Sequence, residues 1–408
     1  MNYAEPLLLP NGASIPNRIA KAAMEENMAD ADHAPSASLI RLYDQWAAGQ
    51  VGLIITGNVM VDARAMTGPG GVVLENTRYL DRFTAWSQAA RKHGAQVWMQ
   101  INHPGRQMQS ALRQTTIAPS AVALDLGAMS KHFSVPREMT EDDIADVRRR
   151  FVQAATLAEK AGFTGVQIHA AHGYLLSQFL SPLSNQRQDQ WGGTLENRAR
   201  LLLAIVREVR ANVSPSFAVS VKLNSADFQR GGFAPEDARQ VIQWLNDCEV
   251  DLVELSGGSY EAPAMQGTAR DGRTLAREAY FLEFAKEMLS TARMPLMVTG
   301  GIRSAQVATQ VIASGVSMVG IATALAIDPQ LPARWMRGEQ VAPALPPITW
   351  KNKPLASLAM MAVVKFQLMR LSRGQPTKPA VSPLRAFILQ QFNDLVKARR
   401  YRHWIATL

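Results

Sequence analysis

The sequence contains a single cysteine, Cys248, among its 408 residues. One thiol cannot form a disulfide within the chain, and an iron–sulfur cluster or a four-cysteine zinc site needs roughly four thiolates. We therefore expect no metal centre. Because proteins without disulfides are typical of reducing compartments, we expect a cytoplasmic location.

Long apolar runs are also missing. Residues 1–18 show no basic start followed by an apolar run, so we expect no secretory signal. The longest mostly apolar stretch, Leu355–Val364, is far shorter than the ~20 residues that span a bilayer, so we expect no transmembrane segment. With 47% hydrophobic residues, the chain can instead build one large core.

The net charge of +9 is unevenly distributed. Residues 346–408 hold eleven Lys and Arg side chains and one acid, Asp394, whereas the rest of the chain holds 32 basic and 33 acidic side chains. The basic character therefore belongs to the C-terminal part. Since the preceding residues carry no excess of positive charge that would form a nucleic-acid groove, we expect no nucleic-acid partner.

Short apolar runs alternate with amphipathic stretches along most of the chain. The runs lack polar alternation, as is typical of parallel strands buried on both faces. The predicted strands are Arg18–Ala23, Leu53–Gly57, Val97–Ile101, Gly165–His169, Ala218–Leu223, Leu252–Ser256, Leu296–Thr299 and Met318–Ile321. The clearest predicted helices between them are Thr77–His93, Asp142–Ala161, Glu196–Asn212, Pro235–Cys248 and Ala305–Ser314. This alternation predicts an α/β fold, and a (β/α)8 TIM barrel rather than an open sheet.

The character of the chain changes after Gly338. We predict a barrel domain over residues 1–340 and, over residues 341–408, a proline-containing linker followed by a basic helical tail. We call residues 341–408 the C-terminal extension; its predicted helices are Leu355–Ser372 and Ser382–His403. We favour an extension that covers the barrel or joins subunits, with peripheral contact to an anionic membrane surface as the alternative.

Two histidines and a tyrosine follow one another where the fourth predicted strand ends, the end at which barrel enzymes build their active sites. Neutral imidazoles of His169 and His172 can both donate N–H groups to one oxygen, which would polarise a carbonyl group and stabilise developing negative charge. Tyr174 can supply a proton. An isolated HxxH pair is more often structural or a chance metal-like pattern, so the assignment depends on the residues around it.

Those residues, 166–200, strongly resemble the signature of the Old Yellow Enzyme family of FMN oxidoreductases. The resemblance is carried by His169, His172, Tyr174, Phe179, the run Ser181–Asn185, Gly192, Gly193 and Glu196–Arg198. It extends from Asn17 to about Pro329 and does not cover the C-terminal extension. It implies a (β/α)8 barrel that binds FMN across the C-terminal ends of its strands, with His169, His172 and Tyr174 as the catalytic residues.

The resemblance also implies which residues contact FMN. Gln100 matches the family residue that hydrogen-bonds the pyrimidine edge of the flavin. Lys222 matches the position beside flavin N1 and O2, usually Arg, where a cation stabilises the anionic reduced flavin. The other implied contacts are Ala23, Met24 and Gly57 against the ring, and Gly300, Gly301, Ala322 and Thr323 around the phosphate.

Two positions depart from the family pattern. Ala322-Thr323 stands where Gly-Arg is common, so an arginine charge is missing from the phosphate site. Glu25 stands near the reactive edge of the flavin, where Thr or Cys is usual. An ionised carboxylate that pointed inward would disfavour the anionic reduced flavin. We therefore expect Glu25 to point away or to pair with a cation.

The function that the resemblance implies is that of an FMN-dependent ene-reductase. NADH or NADPH would give hydride to flavin N5, which would pass it to the activated C=C of an α,β-unsaturated carbonyl compound or a related electron-poor alkene. We expect a small-molecule substrate and a homo-oligomer. Two alternatives stay open, namely flavin-dependent amine or N-methyl oxidation and a flavin-binding partner protein docked through its basic extension. The sequence identifies neither the natural substrate nor the preferred nicotinamide.

Overall fold

The structure, a computed structural model, describes residues 2–264 and 278–408. Its centre is a sheet of eight parallel strands in the described part of the chain, which we number β1 to β8. Their bounds are Ile19–Lys21 (β1), Leu53–Ile55 (β2), Gln96–Asn102 (β3), Gly165–Ala170 (β4), Ala218–Asn224 (β5), Leu252–Ser256 (β6), Leu296–Val298 (β7) and Met318–Ile321 (β8). Each predicted strand is confirmed to within two residues at either end.

The sheet closes on itself. Each strand pairs in parallel with the next along the chain, and β8 returns to β1 through the partners Val319 with Ile19 and Ile321 with Lys21. The (β/α)8 TIM barrel is therefore confirmed. Because all strands run in the same direction, their C-terminal ends surround one opening, which we call the mouth of the barrel.

Helices surround this sheet. Their bounds are Ala37–Ala48 (α1), Leu80–Arg91 (α2), Glu141–Lys160 (α3), Leu175–Leu180 (α4), Leu195–Asn212 (α5), Pro235–Leu245 (α6), Leu282–Met288 (α7), Ala305–Ala313 (α8), Thr323–Ile327 (α9), Leu331–Met336 (α10), Lys353–Ser372 (α11) and Pro383–Ile405 (α12). All seven predicted helices are confirmed to within three residues. At the start of α3, Thr140 and Asp143 form the reciprocal hydrogen bonds of a capping box, which satisfy amides that the first turn leaves free.

Short elements complete both ends of the barrel. A hairpin of Leu7–Leu8 and Ser14–Ile15 packs Leu7, Leu9 and Ile15 against interior side chains of the strands and so covers the end opposite the mouth. Within residues 2–264 and 278–408, loops at the mouth contain further short elements, namely the strands Val59–Met60, Val72–Val73, Ile117–Ala118 and Arg137–Glu138 and the 3-10 helices Gly105–Gln107, Ser110–Leu112 and Gly127–His132.

The C-terminal extension lies against the barrel of its own chain. Helices α11 and α12 pack on each other, and α11 also packs on α1 and α9. Among the described residues, α11 is the one helix long and apolar enough to cross a membrane by length and composition, with a mean hydropathy of 1.3. It is twice as long as the apolar stretch recognised in the sequence, and 44% of its apolar window is buried. Core helices of soluble proteins show the same properties, so this is weak evidence for a membrane span.

The packing of α11 gives a stability prediction with a matched control on the same helix. Leu368 is 1% exposed and belongs to the main hydrophobic core, whereas Leu355 is 37% exposed. We expect Leu368→Ala to lower the free energy of unfolding by about 2–5 kcal/mol, because it removes buried methyl groups and leaves a cavity. Leu355→Ala should lower it by less than about 1 kcal/mol. Urea denaturation followed by circular dichroism measures both, and equal losses would contradict the packing of α11 on the barrel.

Candidate active site

The three predicted catalytic side chains lie together at the mouth of the barrel. His169 is the penultimate residue of β4, and Tyr174 immediately precedes α4. The ring of His169 lies 5.1 Å from that of His172 and 4.8 Å from that of Tyr174, measured between ring centroids. One small ligand can therefore contact all three side chains.

His172 is held in place by hydrogen bonds at three points. Its backbone has a φ of +61°, a left-handed conformation that costs a non-glycine residue roughly 1–2 kcal/mol. Its N–H donates to Asn224 Oδ1 at 3.0 Å, and its carbonyl accepts from Gln107 Nε2 at 3.0 Å. The ring Nε2 lies 2.7 Å from Ser256 Oγ. These contacts maintain a strained backbone that fixes the direction of the imidazole.

Both histidines are neutral at physiological pH. Burial lowers the pKa of His169 and of His172 well below the usual value of 6.5, and the positive charge of Lys222 lowers both further. Nδ1 of His169 accepts a hydrogen bond from the N–H of Ala171 at 3.2 Å, which places the ring proton on Nε2. His169 is therefore a neutral N–H donor, the form that binds an oxygen without carrying full charge.

Tyr174 lies beside a second tyrosine, Tyr260, whose hydroxyl is 3.1 Å from its own. Burial raises the pKa of both phenols, and the negative charge of Glu25 raises both further. Tyr174 therefore stays protonated at neutral pH and can act as a proton donor. Sequence reasoning missed this contact, because Tyr260 lies 86 positions from Tyr174.

A row of buried polar side chains crosses strands β3 to β6 just inside the mouth. Gln100 Nε2 donates to Gln167 Oε1 at 2.7 Å, and Gln167 Nε2 donates to Glu254 Oε2 at 2.8 Å. Lys222 Nζ lies 2.8 Å from Glu254 Oε1. Lys222 is thus compensated by a carboxylate, which a buried ammonium group requires. Sequence reasoning found Gln100 and Lys222 but missed Gln167 and Glu254, although an acid within an apolar strand is the same signal that singled out Lys222.

The segment after β1 runs along the mouth, with Ala23 and Met24 partly buried. Gly57 borders this segment and has no room for a side chain, since a Cβ there would lie 2.1 Å from the Met24 carbonyl oxygen. Sequence reasoning missed Lys21, whose buried Nζ lies 3.3 Å from a carboxylate oxygen of Glu26 and donates to the Ile55 carbonyl at 2.9 Å. These contacts hold the β1 and β2 ends of the mouth together.

The ends of β7 and β8 supply backbone donors for an anion. Gly300 and Gly301 have φ values of +111° and +71°. Within the described residues, the N–H groups of Gly301 and Ile302 donate no hydrogen bond. Thr323 opens α9, and the N–H groups of a first helical turn have no partner inside the helix. Unpaired amides at the ends of neighbouring strands can bind phosphate.

The donor set of the mouth fits FMN. Free backbone amides at the ends of β7 and β8 match its phosphate, while the amide of Gln100 and the ammonium of Lys222 match the polar edge of a flavin ring. By contrast, the amides at the start of α8 are already used, because Glu278 Oε2 accepts from the N–H groups of Arg303 and Ser304. Phosphate would therefore be held by Gly301, Ile302 and Thr323 rather than by α8.

Glu25 does pair with a cation, as expected from the sequence. Its Oε2 lies 3.6 Å from Lys365 Nζ, and its Oε1 accepts a hydrogen bond from the hydroxyl of Thr67. Lys365 belongs to α11, so the compensating charge comes from the C-terminal extension. No local sequence signal links residues this far apart.

Comparison with known proteins places the chain among flavin oxidoreductases. The model of the family described as NADH:flavin oxidoreductase / NADH oxidase matches residues 4–341. The NADH-dependent flavin oxidoreductase nadA of Aspergillus parasiticus is 40% identical over 305 residues, which are 71% of this chain and 68% of the relative. A protein of the same description from Talaromyces variabilis, iccE, is 36% identical over 81% of this chain and 86% of its own length. The relative iliE of a Neonectria species is 37% identical over 81% of this chain, but the match spans only 46% of its length.

Solved structures support the fold. The Old Yellow Enzyme homologue of Zymomonas mobilis has a TM-score of 0.72 and 24% identity, over 88% of this chain and 98% of the other. Histamine dehydrogenase from Rhizobium sp. 4-9 has a TM-score of 0.75 and 20% identity, over 92% of this chain and 54% of the other. At such identities the likeness shows the barrel fold alone.

Acid should destabilise the protein through its buried histidines. Burial lowers the pKa of His103, in the loop after β3, to about 4 from the usual 6.5, in the same direction as for His169 and His172. Below pH 6.5 the folded chain therefore binds fewer protons than the unfolded chain. The contribution of the neutral histidines to the free energy of unfolding is therefore fully present above pH 6.5 and is lost as the pH falls below it. For His103 alone we expect a loss of about 1.3 kcal/mol between about pH 7.5 and pH 5.5.

Urea denaturation at the two pH values measures this loss. His103→Gln should reduce it by the stated amount, because Gln does not titrate and can still accept the hydrogen bond that His103 Nδ1 receives from the Gly105 N–H. His132→Gln, at an exposed histidine, should leave the pH dependence unchanged. If wild type and His103→Gln lose equal stability, the lowered pKa of His103 is wrong.

Proposed function

Because the chain belongs to the NADH:flavin oxidoreductase / NADH oxidase family, we propose that it is an FMN-dependent ene-reductase. It would pass hydride from NADH to the activated C=C of an α,β-unsaturated carbonyl compound or a related electron-poor alkene. The observation that carries this proposal is the convergence of two neutral histidines and a protonated tyrosine at the mouth of the barrel. When bound, FMN supplies the hydride-transfer chemistry that protein side chains lack.

FMN would be held by residues from six of the eight strand ends. Its phosphate would bind the amides after β7 and β8, with the Thr323 hydroxyl as a further donor. Its ring would lie beside the polar row, where Gln100 would hydrogen-bond the pyrimidine edge and Lys222 would compensate negative charge at N1 and O2 of the same edge. The proposed FMN contacts are Ala23, Met24, Gly57, Gln100, Lys222, Gly300, Gly301, Ala322 and Thr323, together with the backbone amide of Ile302, which sequence reasoning missed.

His169 and His172 would bind the oxygen of the activating carbonyl or nitro group. Both imidazoles are neutral, and contacts with Ala171 and Ser256 fix their orientation before the substrate arrives. As hydride reaches the β-carbon, negative charge develops on that oxygen, and fixed donors in a buried site stabilise it without reorganising. One such donor is typically worth about a hundredfold or more in rate.

Tyr174 would protonate the α-carbon. Its phenol is buried and protonated, and the neighbouring Tyr260 hydroxyl keeps it oriented. A positioned general acid contributes roughly 10²- to 10⁴-fold. Amine oxidation requires no such donor beside a pair of oxygen-binding imidazoles, so this arrangement favours alkene reduction.

We also propose a cytoplasmic location and self-association. Helix α12 exposes Leu384, Ile388, Phe392 and Leu395, which recur at the three- and four-residue intervals of a paired-helix seam. A second copy of the chain would bury this stripe. Contact of the same basic, apolar helix with an anionic membrane surface is the alternative.

The first prediction for this function is spectroscopic. The purified protein, loaded with FMN where necessary, should show flavin absorption that bleaches on anaerobic addition of NADH. Addition of an α,β-unsaturated ketone should restore the absorption, because the substrate takes up the stored hydride. A protein that remains colourless after incubation with FMN would contradict the proposal.

The second prediction separates the two half-reactions. Tyr174→Phe removes only the phenolic hydroxyl, so reduction of the flavin by NADH should stay near the wild-type rate. Reoxidation by an unsaturated ketone should slow by about a hundredfold or more. Stopped-flow absorbance measures both steps. Tyr3→Phe is the matched control, because its hydroxyl bonds to the Trp335 carbonyl far from the mouth. Equal slowing of both half-reactions by Tyr174→Phe would rule out its role as the proton donor.

A further inference from the structure

Two helices of the C-terminal extension reach the segment that follows β1. Lys365 Nζ of α11 lies 3.6 Å from Glu25 Oε2 and donates to Asn27 Oδ1 at 3.0 Å. Lys397 Nζ of α12 donates to the Asn27 carbonyl at 2.5 Å. Both ammonium groups therefore meet residues 25–27, directly after the proposed FMN contacts at the end of β1.

The end of α12 is anchored on the mouth loops. The Tyr401 hydroxyl donates to the Ala63 carbonyl at 2.9 Å, and Arg402 Nη1 donates to the Ala111 carbonyl at 2.9 Å. The ring of Trp404 lies 4.3 Å from that of His33. Tyr401 is also fully buried among side chains of the loops that follow β2 and β3, namely Met60, Met66, Met108 and Leu112. The extension is thus fixed to the loops after β1, β2 and β3, which form one side of the mouth.

The Glu25 carboxylate acts on the inside of the mouth. The side chain is 25% exposed, and that of Lys365 is 18% exposed, so solvent screens the pair only in part. Glu25 directly follows Met24 at the mouth, and its carboxylate accepts a hydrogen bond from Thr67 in the loop after β2. Burial raises the pKa of Tyr174 and of Tyr260, and the negative charge of Glu25 raises both further. Burial lowers the pKa of Lys397, and the neighbouring Lys365 charge lowers it further. The charge balance of the mouth therefore includes groups from the extension.

We propose that the C-terminal extension is part of the active site and that Lys365 is a positioning residue within it. Lys365 holds Glu25 at the rim with Thr67 and balances its negative charge. Negative charge formed in the mouth is then not opposed by the carboxylate. This inference rests on the proposed function, because the charge in question is that of the reduced flavin.

The test is the midpoint potential of FMN bound to the full-length protein, measured by equilibration with a reference dye. Lys365→Met keeps the length of the side chain and removes its charge, so Glu25 would oppose the reduced flavin. We expect the equilibrium constant for reduction to fall on the order of tenfold, which is about 30 mV for a two-electron couple. Glu25→Gln should shift the potential in the opposite direction, because Lys365 is then uncompensated. The double variant should return close to wild type.

Two matched variants control for effects on packing. Lys365→Arg preserves the charge and should preserve the potential, while Lys353→Met removes an exposed lysine from the same helix and should change nothing. An unchanged potential in Lys365→Met with FMN bound would overturn the inference and leave the proposed function standing. If Lys365→Met does not fold, an unchanged potential in Glu25→Gln overturns it equally. A protein that binds no FMN would instead overturn the proposed function, and this inference with it.

Discussion

The candidate site depends on one buried ion pair, between Lys222 of β5 and Glu254 of β6. Neither side chain is more than 5% exposed, and removing one partner from such a pair typically costs about 3–5 kcal/mol, because the remaining charge is uncompensated. Glu254 also accepts from Gln167, which in turn accepts from Gln100, so one carboxylate aligns four neighbouring strands. The pair also affects the electrostatics of the mouth, since the Lys222 charge helps to keep His169 and His172, the proposed catalytic histidines, neutral.

The barrel was predictable because residues that are close together in the sequence specify each of its strands and long helices. Parallel strands buried on both faces must be apolar along their whole length, and that pattern identified all eight. Long amphipathic helices were equally visible. The helices α4, α7, α9 and α10 were missed because five to seven residues carry too little periodicity, and packing against the barrel determines them. Helix α1 was missed although Ser36, which caps its first turn, gives a recognisable start.

The site was predictable only in part, since its partners are distant in sequence. His169, His172 and Tyr174 fall within one segment, so a single resemblance found all three. The groups that orient these three side chains lie in other segments of the sequence. Ser256 lies 84 residues from His172, and Tyr260 lies 86 residues from Tyr174. Glu254 could have been found, because an acid within an apolar strand requires a buried partner and Lys222 was the available cation. The contact of Glu25 with Lys365 could not have been predicted, because no residue pattern in either segment indicates that the two segments meet.

That contact joins two features that look unrelated in the sequence. Glu25 stands where the resemblance implies Thr or Cys, and the helices of the basic C-terminal extension lie beyond the matched residues 4–341. In the structure, a carboxylate at the mouth and a lysine from the extension lie side by side. A new charge in a partly buried site is tolerated only when an opposite charge accompanies it. Under the proposed function, Glu25 and the α11 helix that carries Lys365 are therefore best understood as one compensated change to the barrel mouth.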